Sequence, residues 1–258
     1  MTAVTSPSSK LYLAAAYFTA AAFVMTSAAL LFDERLFYGV AIWDKPLKFW
    51  ASISLHFGTL GLLLPLASSA AQNSWLTRTV TVTCVVAGLF ETFYITAQAA
   101  RGRPSHFTTA SAFEVQMYQL MGVGAVLLVV ASFVVGIQIC RSGKPWTGFR
   151  LGAALGLIIG SVLTLFTAGF MSSQPSHYLG LALGAASDAN GLPIVGWSLS
   201  LPDLRPPHFV ATHLMQALPV VGLLVDKFAD LHNKPLVFGS ALIGVILVVG
   251  LFARAVTM

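Results

Sequence analysis

Charge is scarce in this chain. Asp, Glu, Lys and Arg make up 9% of its 258 residues, against roughly a quarter in a soluble domain, so there is too little polar surface to clothe a water-soluble globule. Cysteine is scarcer still. Cys84 and Cys140 form neither a metal pair nor a redox motif, which excludes a disulfide scaffold and leaves two packing thiols. The six histidines are too few for the histidine boxes of membrane desaturases. The last apolar stretch, 235–253, has no lysine, which removes a retinal Schiff base. Basic residues outnumber acidic ones by 14 to 9, yet they are scattered through short connections with no basic stripe, so nucleic acid is not expected as a partner. No cleavable leader is expected either, because the polar start runs straight into an apolar stretch without a small-residue cleavage site.

What fills the chain instead is apolar. Hydrophobic residues make up 57% and the mean hydropathy is +0.82. Runs long enough to cross a bilayer fall at 11–31, 49–69, 79–100, 113–140, 149–171, 207–225 and 235–253. The expected fold is therefore an all-α polytopic transmembrane helix bundle, one integral-membrane domain over 1–258. It has seven spans and one long outer loop, 172–206, between spans five and six. A connection of that length that carries apolar residues, a turn signal at Asn190–Gly191 and Trp197 reads as a lid or interfacial element. Gly152, Gly156 and Gly160 recur every four residues in the fifth span, so a neighbouring helix is expected to approach its backbone closely.

Seven spans put the termini on opposite faces. Seven basic residues then fall on each side, Lys10, Arg78, Arg141, Lys144, Arg150, Lys227 and Lys234 against Arg35, Lys45, Lys48, Arg101, Arg103, Arg205 and Arg254. The short basic connection from Arg141 to Arg150 breaks the tie towards a cytoplasmic N-terminus, in a bacterial inner membrane.

Ionisable residues inside spans are costly and mark function. The stretch 203–219, DLRPPHFVATHLMQALP, opens a span with two prolines and then sets His208, His213 and Gln216 into an apolar run, His213 and Gln216 sharing a face. Counted inward from the same side, His56 is roughly 10 Å deep in the second span and Glu91 roughly 13 Å deep in the third. Glu91, Tyr94 and Gln98 form a polar stripe leading outward. Ser111 and Glu114 have the form of a capping box opening the fourth span. The motif R-P-S-H-F at 103–107 recurs as R-P-P-H-F at 205–209, setting Arg103, His106, Arg205 and His208 on one face.

One reading of this set is a haem or a transition-metal ion, with His56, His213 and Glu91 as ligands, Gln216 supporting them and Arg103 and Arg205 holding propionates. Such a site would serve a membrane-bound haem- or metal-dependent enzyme, with Glu91 and Tyr94 as acid–base groups acting on a lipophilic small molecule. A second reading is a proton-coupled transporter, in which Glu91 and His213 titrate. A third is a non-catalytic subunit or assembly factor whose polar residues meet a membrane-protein partner. In all three, the lipid bilayer is the first partner.

Overall fold

The computed structural model describes residues 6–108, 110–184, 191–228 and 234–258. In chain order its helices are α1 (Pro7–Phe32), α2 (Asp44–Leu63, carried on by a 3-10 turn to Leu66), the short α3 (Ser69–Gln72), α4 (Trp75–Ala100), α5 (Ala112–Cys140), α6 (Gly148–Ser172), α7 (Arg205–Phe228) and α8 (Lys234–Thr257). Among the described residues, seven of these are long and apolar enough to cross a membrane, and the chain is an all-α membrane bundle as its composition requires.

Helix starts follow local chemistry. Ser6, Ser74, Ser111 and Thr147 accept hydrogen bonds from Ser9, Thr77, Glu114 and Arg150, each three residues on, filling one of the N–H groups a helix start leaves open. At Ser111 only this half of the expected capping box forms, because the Glu114 carboxylate turns to Gln98, Arg103 and Thr108 instead. α2 begins five residues before the expected 49. Asp44 sits in its first turn, where the helix dipole favours an acid, and bonds Lys48 one turn on at 2.6 Å.

α1 packs on α2 and α4, α5 bridges α4 to α6, and α8 lies against α6 and α7. Tyr12, Phe57, Leu60, Cys84, Leu128, Val135, Leu157 and Met215 belong to the main core. Large apolar side chains such as Val86, Val123, Leu242 and Ile243 point outward, as a lipid-facing surface requires. The closest pairing is α6 on α7. A Cβ added at Gly156 would stand 2.6 Å from Leu214 O and one at Gly160 2.8 Å from Met215 Cγ, so the expected close backbone approach is present. α7 also caps α6: Asp226 Oδ1 accepts from Gly148 N at 2.6 Å and Oδ2 from Phe149 N at 2.7 Å.

The connections α1–α2, α4–α5 and α6–α7 share the face of the C-terminus. The first contains a feature the apolar pattern does not announce, a hairpin of β1 (Leu36–Phe37) and β2 (Val40–Ala41) turning through Tyr38 and Gly39, both at positive φ (51° and 81°). Arg35 Nη1 ties it to the end of α4 by donating to Ala100 O at 3.0 Å, and Trp43 Nε1 donates to Asp33 Oδ2 at 2.9 Å. The Arg35 guanidinium, bonded to Asp33, holds that carboxyl well below the usual carboxylate range.

Candidate functional site

The three connections on the C-terminal face enclose a cavity of about 310 Å³, the low end of pockets that take a small ligand (roughly 300–1,000 Å³). The hairpin and the start of α2 give it Phe37, Tyr38, Lys45, Lys48 and Phe49. The α4–α5 connection gives Arg103, His106 and Phe107, and the α6–α7 connection gives Tyr178, Trp197 and Arg205. The hairpin tip meets the long connection at Gly184, where a Cβ would lie 2.6 Å from the Tyr38 ring. Trp197, expected at an interface, lines this cavity and packs edge-on against Phe209, ring centroids 5.1 Å apart. Asn190 of the expected turn lies outside the described residues, as do 185–189.

The cavity wall is cationic, and its charges have partners. Lys48 bonds Asp44; Arg103 meets Glu114 at 3.2 Å; Arg205 meets Asp203 at 2.7 Å and donates to Tyr178 Oη and Gly196 O. Glu114 is buried and gathers Gln98, Arg103 and Thr108, which fixes the start of the α4–α5 connection against α4.

That connection carries His106 from the cavity to the buried carboxyl of Glu91. Lys45 Nζ lies 3.1 Å from His106 Nδ1, and His106 Nε2 lies 3.8 Å from Glu91 Oε1. An ammonium can only donate, so Nδ1 is the acceptor and the neutral ring carries its hydrogen on Nε2, aimed at Glu91. Burial, and then the charge of Lys45, holds the His106 imidazole well below its ordinary value, which agrees with a neutral ring. Among the described residues, the buried Glu91 Oε2 has no hydrogen-bond partner.

The other residues singled out from the sequence are spread around this site. Arg103 and Arg205 line the cavity together, so the repeated R-P-x-H-F motif does place two arginines at one site. Tyr94 is near Glu91 on α4, its hydroxyl buried and, among the described residues, without a hydrogen-bond partner. His208 approaches Thr167 Oγ1 at 3.3 Å between α6 and α7. His213 stacks on Phe209 and bonds Phe209 O at 2.8 Å. Gln216 donates to Thr59 Oγ1 at 3.1 Å.

His56 lies deeper than counting from 49 implies. With α2 starting at Asp44 it is 12 residues in, about 18 Å, and its Nε2 is 3.9 Å from Cys84 Sγ, two turns of α4 below Glu91. The carboxylate expected beside His56 and His213 is met by His106 instead. Among the described residues no group of three or more His, Cys, Asp or Glu is placed to hold one metal ion.

Sequence reasoning passed over Lys45 and the hairpin aromatics. Lys45 looked like one more membrane-edge charge; the available signal was that K-P-L-K-F at 45–49 and R-P-S-H-F at 103–107 open on the same face. No protein-family profile, curated protein or solved structure matches the chain.

Proposed function

We propose that this integral membrane protein binds a lipophilic small molecule in the cavity on its C-terminal face and links that binding to proton exchange at Glu91, the working arrangement of a proton-coupled carrier. The observation that carries the reading is the series from Lys45 at the cavity wall, through His106, to a buried carboxyl. A proton enters when Lys45 gives one to His106 Nδ1 while Nε2–H passes to Glu91 Oε1. The ring ends neutral in its other tautomer, Glu91 ends as the acid, and Lys45 is refilled from water in the cavity. The 3.8 Å step is longer than a hydrogen bond, so it closes only when the connection carrying His106 moves inward. A ligand against Phe49, Phe107 and Trp197 presses on that connection, and occupancy and protonation then depend on each other.

The test uses a nitroxide-labelled hexadecanol, which does not titrate, binding to purified protein in detergent with tryptophan quenching as the signal. The expected result is saturable quenching whose affinity changes with pH and which moves protons in weakly buffered solution, both pH effects being lost in Glu91→Gln. Unsaturable quenching, or an unchanged pH profile in the variant, overturns the reading.

The haem or metal reading has one observation in its favour. His213 points Nδ1 at a backbone carbonyl, which leaves Nε2 as an open lone pair in the manner of a supported metal ligand. A Soret band or stoichiometric metal in the same purified sample, lost in His213→Ala, would replace the carrier reading with that one.

A further inference from the structure

We infer that the buried face of α4 is a path for protons between the two membrane faces, gated by Phe57. The inference rests on Glu91 accepting protons as proposed above.

Thr77, Thr81, Cys84, Glu91 and Gln98 follow one another at intervals of four, three, seven and seven, and all five are buried. That spacing keeps them on one helix face. The 21 steps along the helix from Thr77 to Gln98 cover about 31 Å, the thickness of a bilayer's hydrocarbon core.

A stripe of this kind would be unremarkable if its polar atoms were all satisfied, but they are not. Among the described residues, Glu91 Oε2 on the stripe and Gln138 Oε1, whose amide nitrogen bonds Thr77, are buried with no hydrogen-bond partner. Unsatisfied polar atoms in a membrane interior are costly and point to a role that needs them open.

The stripe has three stations. At the C-terminal face Lys45, His106 and Glu91 form the entry. In the middle, Tyr12 of α1 sits beside Thr81 and Cys84, and His56 of α2 approaches Cys84 at 3.9 Å. At the N-terminal face Thr77 is bonded to Gln138 at 2.8 Å and to Ser74 at 3.0 Å.

Between Glu91 and Cys84 the path is shut. They are two turns apart, about 10 Å, and the residue between them is Gly88, on which the fully buried Phe57 ring rests: a Cβ there would stand 2.8 Å from Phe57 Cζ. When the ring swings away, roughly three waters at hydrogen-bond spacing fill the gap. The proton leaves the Glu91 carboxyl for the first water, the last water protonates His56, and His56 gives its proton onward along the Thr81 and Thr77 hydroxyls, each taking one proton and releasing its own, the last to water at the N-terminal face. One proton enters at one face and one leaves at the other, with no electron transferred.

The experiment is proton uptake into proteoliposomes holding a trapped pH dye, driven by a potassium gradient with valinomycin. Wild type is expected to exceed empty vesicles. Gly88→Ala, which wedges a methyl against the ring, and His56→Gln are each expected to cut the flux roughly tenfold, and Phe57→Leu to raise it. Hexadecanol binding and its pH dependence are expected to persist in Gly88→Ala, because Lys45, His106 and Glu91 lie on the cavity side of the gate. Wild-type flux in both Gly88→Ala and His56→Gln overturns the path. PH-linked binding in a wild type that passes no protons also overturns it while leaving the cavity reading intact. Absence of both removes the cavity reading as well.

Discussion

Replacing Asp226 by alanine removes the bond by which α7 holds the start of α6. The first N–H groups of a helix have no partner within it. Here Gly148 and Phe149 donate to the two carboxylate oxygens, Arg150 donates to Thr147 Oγ1 at 3.1 Å, and Leu151 makes the first regular turn to Thr147 O. A hydrogen bond to a charged acceptor is worth about 1.5–3 kcal/mol, nearer the lower figure where water has access, and an acid at a helix N-terminus adds about 0.3–1 kcal/mol. Asp226 is only half-buried, so Asp226→Ala is expected to cost roughly 2–4 kcal/mol in all, and Asp226→Asn, which keeps one acceptor oxygen, about half of that. The assay is reversible unfolding in mixed micelles with the midpoint extrapolated to zero denaturing detergent. Because the substitution lies on the face opposite the cavity, hexadecanol affinity should not move. A loss below about 0.5 kcal/mol, or alanine and asparagine variants of equal stability, would refute the reasoning.

Two further outcomes follow from the geometry. Gly156→Ala should lower stability by about 1–3 kcal/mol in the same assay, because its methyl would meet the backbone oxygen of Leu214, which cannot turn aside. Stability should also depend on pH through His106. Its imidazole is held below the ordinary 6.5 in the folded chain, so the unfolded chain takes a proton first, and stability present above that pH erodes as the pH falls through it. Melting curves from about pH 8 to about pH 5 should show this acid slope, and His106→Gln should flatten it.

The bundle was legible because each span is a long, strongly apolar run with few charges, and Ser111 and the α6 glycines carry their meaning in their spacing alone. Depth was harder to read. The α2 run reads as opening at 49, since Lys45 and Lys48 resemble edge charges, but Asp44 and its bond to Lys48 extend the helix by more than a turn and carry His56 down to Cys84. The hairpin at 36–41 was illegible because two residues per strand give no alternation to detect, and Tyr38 at positive φ has only Gly39 beside it as a marker. The partner of Glu91 was missed for a different reason. His106 sits in a connection, and no periodicity says how far a connection folds back over a helix end.

The glycine contact between α6 and α7 also constrains how the protein moves. Where backbone meets backbone, with a carboxylate binding one end, two helices slide or tilt only by losing contact along their whole length, so the pair travels as a single strut. On the proposed gate, shape change would then fall to the side of the bundle where the Phe57 ring of α2 rests on Gly88 of α4. Arg205, at the start of α7 and on the cavity wall, would then be the fixed side against which the proposed movement of the His106 connection works.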